Sequence, residues 1–211
     1  MAAYFKNHPR RVRFPWSIYH RGLGRRLAAI LRASWPAPRV LVVGCGLKPF
    51  VEGGPAGATY FGCDLDPRTI DACRQAYPEM SDRLAVCPSG DALPDEGGFR
   101  ELFDVVVAKE VIEHTVAPAP WAGMLAKKVR PGGSLVLTTP NYGRFSTLPL
   151  LEATILELVA RRDGYSRRDI HPSRFDPRSL AALDTGPGMV LVGVETTWTR
   201  WAMVGQWTRA E

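Results

Sequence analysis

The chain has 211 residues, of which 45% are hydrophobic and 23% charged, globular proportions that exclude a low-complexity or disordered protein. That length buries a substantial core without disulfide or metal staples, and no apolar run approaches the roughly 18–20 residues of a membrane-spanning helix. The net charge of +6 is unevenly placed: ten basic residues precede the first acidic one, Glu52, and from Glu52 onward 17 basic residues face 21 acidic ones.

Residues 1–38 read as a basic N-terminal segment, helical from about Ser17 to Ala33, with Ile18, Leu23, Leu27, Ile30 and Leu31 near one face. Trp35-Pro36-Ala37-Pro38 stops the helix, because proline lacks the donor and restricts the residue before it. Its arginines are interleaved with Tyr4, Phe5, Phe14, Trp16, Tyr19 and His20. Either the helix packs on the acidic body with its arginines in water, or it meets an anionic partner such as nucleic acid, lipid headgroups or an acidic substrate.

Residues 39–211 form the main domain. Val40–Val43 is a short continuous apolar run, as in a strand buried on both faces of a parallel sheet. Such runs return at Thr59–Cys63, Leu84–Cys87, Phe103–Ala108 and Ser134–Thr139, with helical patterns at Pro67–Tyr77 and Ala119–Val129 between them. Strand and helix in alternation predict an α/β, Rossmann-like doubly wound sheet with right-handed crossovers and helices on both faces. Residues 142–178 read as a small helical cap, with a helix over Leu148–Ala160 and a basic stretch from Arg161 to Arg178. A short helix near Pro177–Leu183 precedes strands at Met189–Thr197 and Trp201–Trp207, which suggest an antiparallel C-terminal edge. The four cysteines, Cys45, Cys63, Cys73 and Cys87, form no CxxC pair and sit in apolar segments, as buried thiols of a reducing compartment do. The N-terminus has no uninterrupted apolar h-region, so the expected location is cytoplasmic.

In a doubly wound sheet, ligands bind beyond the carboxyl ends of the strands. The first strand ends in Gly44-Cys45-Gly46, where glycine lets the backbone turn sharply and approach a ligand. The second ends at Asp64, an acid placed to accept both hydroxyls of a ribose; Asp66, directly before Pro67, is the better helix cap. The third is followed by Ser89-Gly90-Asp91-Ala92-Leu93-Pro94, either a simple turn or an acceptor for an adenine amine. Lys109-Glu110-Val111-Ile112-Glu113-His114 ends the fourth, and Thr138-Thr139-Pro140-Asn141 the fifth.

The ordered set VLVVGCG, YFGCDLDP, SGDALP, FDVVVAKEVIEH and RPGGSLVLTTPN, from about Val40 to Asn141, resembles the class I S-adenosylmethionine-dependent methyltransferases. The likeness is to the broad group of ubiquinone-pathway and small-molecule O-methyltransferases. It implies a seven-stranded sheet with S-adenosylmethionine as cofactor. Gly44, Cys45 and Gly46 would pass beneath its methionine part, Asp64 would hold the ribose, and Leu65 would pack on the adenine. Asp91 and Ala92 would read the amine edge, while Lys109 and Glu110 would border the methionine end and the acceptor. Two positions depart from the family pattern: Val42 stands where an acid is usual, and Lys48 where a third glycine is usual. Lys48–Ala58 is a poor helix by propensity, and Lys48 itself is either a solvated lysine or a cation for the cofactor carboxylate or an acidic substrate.

Methyl transfer to oxygen needs a base near neutrality, and histidine suits it. His114 after the fourth strand and His171 in the cap segment are the candidates, with Glu110 as a neighbouring carboxylate. Each histidine also has a plain structural reading. The arginines of residues 142–178 favour an anionic small-molecule acceptor bearing carboxylate or phosphate. No metal is assigned. As an alternative, Glu110, Glu113 and His114 at i, i+3 and i+4, with His171, would form a metal site like that of small-RNA 3′-end 2′-O-methyltransferases. A non-catalytic binding protein on the same fold is a third reading, motivated by Val42 and Lys48. Nucleic acid is the less favoured partner, peripheral membrane contact through the basic N-terminus is a separate expectation, and the oligomeric state is open.

Overall fold

The structure is a computed structural model, and it describes residues 16–154, 161 and 171–211. Residues 1–15, most of the second half of the cap helix expected to Ala160, and Arg162, Arg167 and Arg168 of the basic stretch lie outside the described residues.

The sheet has seven strands: β1 (Arg39–Val43), β2 (Thr59–Asp64), β3 (Leu84–Val86), β4 (Phe103–Lys109), β5 (Val129–Pro140), β6 (Met189–Thr196) and β7 (Ala202–Arg209). Their order is β3-β2-β1-β4-β5-β7-β6. β1 pairs parallel with both β2 and β4, so the strand order reverses between β1 and β4 and opens a crevice there. β7 runs antiparallel to both β5 and β6. The expected antiparallel pairing is therefore present, with β7 one position inside the edge that β6 occupies.

Alternation along β1 divides its side chains between two cores. Leu41 and Val43 join a core that contains Trp121, Ala122 and Leu125 of α3 (Pro118–Ala126) and Leu180 of α5 (Pro177–Ala181). Val40 and Val42 face the opposite core, with Leu23, Leu27 and Leu31 of α1 (Trp16–Ser34) and Ile70 and Cys73 of α2 (Pro67–Ala76). Val42 is fully buried between β2 and β4 partners, so the usual acid is replaced by a core residue.

The first crossover forms no helix, as its glycines predict; it is a run of turns held by bonds such as Gly54 N–H to Val51 O at 3.0 Å. α1 covers that face of the sheet. Arg26 pairs with Glu195 of β6, and Arg32 donates to Gly53 O at 2.6 Å. Arg21 and Arg25 are exposed.

α2 starts where local chemistry dictates. The Asp66 carboxylate accepts from Arg68 N–H at 3.0 Å, with proline in the first turn. α5 starts with a capping box in which Asp176 and Ser179 satisfy each other's backbone. In the cap, α4 spans Leu148–Ala153. Among the described residues no helix is long and apolar enough to cross a membrane. All four cysteines are free and buried.

Candidate active site

The loop after β1 is shaped by two left-handed glycines. Gly44 has φ +62°, and a Cβ there would collide with the Val111 side chain. Gly46 has φ +55°, and its N–H donates to Asp64 Oδ2 at 2.9 Å. Cys45 N–H continues the parallel ladder to Cys63 O at 3.0 Å, and the Cys73 thiol donates to Gly46 O at 3.1 Å. Asp64 Oδ1 also accepts from Asp66 N–H at 3.0 Å. One carboxylate thus ties the two loops at the crevice, and each oxygen keeps a second acceptor site for a ribose hydroxyl.

Leu65 is 57% exposed at the end of β2, an apolar surface offered to a flat ligand. Asp91 is exposed, and the Ser89 hydroxyl donates to it at 2.5 Å, which lowers its pKa and keeps it an acceptor. Ala92 closes the same turn through its bridge to Ser89. Lys109 reaches across to the first loop, with Nζ 3.5 Å from both Lys48 O and Phe50 O, and burial pushes its pKa down. Lys48 itself pairs with Glu52 at 2.5 Å and is half-exposed. The residues present fit S-adenosylmethionine by their chemistry: Gly44 has no room for a side chain, and Asp64 and Asp91 offer carboxylate acceptors at the strand ends.

The chain then turns sharply after β4. Glu110 has φ +55°, an uncommon conformation for a residue with a Cβ. Its N–H donates to Thr138 O at 3.1 Å, and the buried Thr138 hydroxyl donates to Glu110 Oε1 at 3.1 Å. This turn places Glu110 outside the 3-10 turn Ile112–His114 that follows, so the i, i+3, i+4 helical convergence does not form as expected. The cluster is instead Glu113, His114 and His171, whose donor atoms all lie within 4.8 Å of one another.

Glu113 is 1% exposed, and its Oε2 makes no hydrogen bond. Burial first, and the Glu110 charge second, hold its pKa well above the usual carboxylate range. The His114 and His171 rings meet edge-on with centroids 4.9 Å apart. Tyr142 Oη lies 2.7 Å from His171 Nδ1, and Arg174 sits over the Tyr142 ring at 5.2 Å.

Three segments meet here because backbone pairs lock them. Tyr142 N–H donates to Phe175 O at 2.8 Å, Ser173 N–H to Glu113 O at 3.2 Å, and the Ser173 hydroxyl to Thr115 O at 2.7 Å. Sequence reasoning did not single out Tyr142, Thr138 or Glu152. Glu152, on α4, is buried and close enough to Glu113 to raise its pKa further. The available signal for Tyr142 was its place directly after the TTPN strand end; for Glu152, an isolated acid on an apolar helix.

A family model described as a methyltransferase domain matches residues 16–188, which takes in α1 as well as the sheet through α5. The ubiquinone biosynthesis O-methyltransferase of Alkalilimnicola ehrlichii is 31% identical over 142 residues, covering 65% of this chain and 57% of that protein. The mitochondrial ubiquinone biosynthesis O-methyltransferase of Homo sapiens is 31% identical over 114 residues, 51% of this chain and 30% of that one. The chain thus spans less than two thirds of the length of these relatives. Among solved structures, magnesium protoporphyrin IX methyltransferase from Synechocystis PCC 6803, with bound SAH, superposes with a TM-score of 0.63 at 16% identity, over 94% of this chain and 89% of that one. That likeness shows the same fold. With the glycine loop, the Asp64 strand end and the seven-stranded order in place, the chain belongs to the class I S-adenosylmethionine-dependent methyltransferases.

Proposed function

We propose that this chain methylates an oxygen of a small molecule whose far end carries a carboxylate or phosphate. The observation that carries the reading is the convergence of Glu113, His114 and His171 next to the cofactor crevice, with Val111 of the same loop packed on Gly44. When bound, the cofactor supplies a sulfonium-activated methyl group. The protein then has to hold the acceptor in line and remove its proton. An imidazole suits that removal near neutrality, and His114 and His171 are the imidazoles at the site.

The inner wall carries Glu110, Glu113 and Glu152, while Arg144, Arg174 and Arg178 are exposed on the bordering segments. An acceptor with its hydroxyl inward and its anionic group at this rim matches both. The O-methyltransferase names of the relatives support oxygen as the acceptor atom. In this reading the partner is a small molecule rather than nucleic acid. Four free buried thiols support a reducing, cytoplasmic setting. Any membrane contact through residues 1–15 lies outside the described residues.

Calorimetry with S-adenosylhomocysteine tests the first half. Micromolar binding that Asp64→Ala abolishes supports the reading, and a folded wild type that binds none refutes it. Comparing 3,4-dihydroxybenzoate with catechol as methyl acceptors tests the second half, and equal turnover would remove the anionic acceptor.

A second reading has its own observation. Two imidazoles and a buried carboxylate with an orphaned oxygen are a donor set that fits a divalent cation. Glu113, His114 and His171 would hold it, and it would polarise an acceptor oxygen, as metal-assisted 2′-O-methylation of an RNA 3′ end requires. Dialysis against a chelator, followed by assays on 3,4-dihydroxybenzoate and on an RNA oligonucleotide, separates the readings. Activity on the oligonucleotide that is lost and then restored by Mg²⁺ or Mn²⁺ would favour the second.

A further inference from the structure

We propose that Lys109 binds the carboxylate at the amino-acid end of the cofactor, so that this chain reads that end chiefly as an anion. The inference rests on the S-adenosylmethionine site above and is independent of the acceptor. In a doubly wound sheet, the helix after the first strand offers an anionic ligand its N-terminal N–H groups and roughly half a positive charge. Here the first crossover forms no helix, so that source of donors and charge is missing.

The loop that replaces it has few donors to give. Cys45 N–H goes to Cys63 O at 3.0 Å, Gly46 N–H to Asp64 Oδ2 at 2.9 Å, and Lys48 N–H to Cys45 O at 3.1 Å. Pro49 has no N–H at all. From Cys45 to Pro49, Leu47 alone keeps an uncommitted N–H among the described residues. What the loop presents to β4 is carbonyls: Lys48 O and Phe50 O each lie 3.5 Å from Lys109 Nζ.

Lys109 owes its place to the sheet. Val105 and Val107 of β4 share a core with Val42 of β1, and alternation carries Lys109 off the same face, one residue beyond the Val43–Ala108 pair. It stands where the strand order reverses. An ammonium has three donors, and its two carbonyl contacts are long for N–H···O bonds. Among the described residues Lys109 pairs with no carboxylate, and Glu52, the acid of that loop, is paired with Lys48 at 2.5 Å. Burial penalises the Lys109 charge and pushes its pKa down. A carboxylate brought beside it offsets that penalty with a charge-assisted bond. The ammonium of the cofactor has no such counterpart at Val42, whose side chain is fully buried in the core.

Calorimetry of the full chain tests this with S-adenosylhomocysteine, its decarboxylated analogue, which ends in a primary amine, and its deaminated analogue, which ends in a carboxylate. In the wild type, loss of the carboxylate should weaken binding about 10–100-fold, the range of a hydrogen bond to a charged group, and loss of the amine should weaken it less. In Lys109→Met, affinity for S-adenosylhomocysteine should fall by a similar factor, while the decarboxylated analogue binds within about twofold of its wild-type affinity, because its missing group no longer has a partner. A wild type that loses as much affinity with the amine as with the carboxylate overturns the proposal, whether or not the variant folds. So does a Lys109→Met protein that keeps the wild-type preference, or a preference that disappears in Lys48→Met instead. A folded wild type that binds none of the three overturns the cofactor site, and the inference falls with it. Binding of all three with equal affinity overturns the inference alone.

Discussion

Replacing Glu113 by glutamine tests the central electrostatic feature of the site. Burial and the nearby Glu110 raise the Glu113 pKa well above its ordinary 4.5, so the folded chain keeps a proton there that the unfolded chain releases. The folded state then binds more protons than the unfolded state, and stability falls as pH rises above that ordinary value. The slope is about 1.4 kcal/mol per pH unit for one proton, and it ends once the pH passes the folded-state pKa. Glutamine has nearly the same shape and no proton to lose, so this contribution vanishes in Glu113→Gln. Between pH 5.5 and 6.5 the wild type should lose stability relative to the variant, by at most about 1.4 kcal/mol for the one proton. Urea unfolding of both proteins at the two pH values reads the difference. A buried amide with an unpaired group adds a nearly pH-independent offset of about 1–3 kcal/mol, so the slope and not the absolute stability carries the test. Parallel pH profiles for the two proteins would refute the assignment of a proton to buried Glu113.

Gly44→Ala should cost about 1–2 kcal/mol for the left-handed backbone alone, with the Val111 overlap in addition, and should abolish S-adenosylhomocysteine binding by calorimetry. Val111→Ala in that background should recover part of the stability, and no recovery would mean the overlap is not the cause. Leu27→Ala removes a buried side chain of α1 and should cost about 2–5 kcal/mol in urea unfolding, as for any core leucine. A cost below about 0.5 kcal/mol would instead make the helix a detachable appendage. Asp66→Ala deletes the α2 cap and should cost about 1 kcal/mol while cofactor affinity stays unchanged, in contrast to Asp64→Ala.

The strands, α2 and the cofactor side were legible because their causes are local. A run such as Val40–Val43, or an Asp-Pro pair such as Asp66-Pro67, specifies its structure over a few residues. The residues that end those strands then inherit their places from the sheet: Gly44 and Gly46 at the crevice, Asp64 bonded across it, Leu65 exposed. The α1 stop at Trp35-Pro36-Ala37-Pro38 is local in the same sense.

The meeting of Glu113, His114 and His171, which the sequence offered only as part of an alternative metal site with Glu110, has no local cause of that kind. His171 meets Glu113 and His114 only because Ser173 is bonded to Glu113 and Thr115, and because Phe175 is bonded to Tyr142, contacts that span long separations in the chain. No periodicity encodes such a meeting. Glu110 shows the converse: its spacing from Glu113 suggests a shared helical face, yet its positive φ and its bond to Thr138 take it off the turn Ile112–His114, while its charge still reaches Glu113. The sequence alone determined the alternation of strands and helices, the cap at Asp66 and the character of the cofactor loop, since each follows from neighbouring side chains and backbone preference. Only the tertiary structure decided that β7 lies inside β6, that α1 covers the face the helix-free crossover leaves, and that Glu113 loses its solvent, because each depends on which surfaces remain to be buried once the other elements have packed.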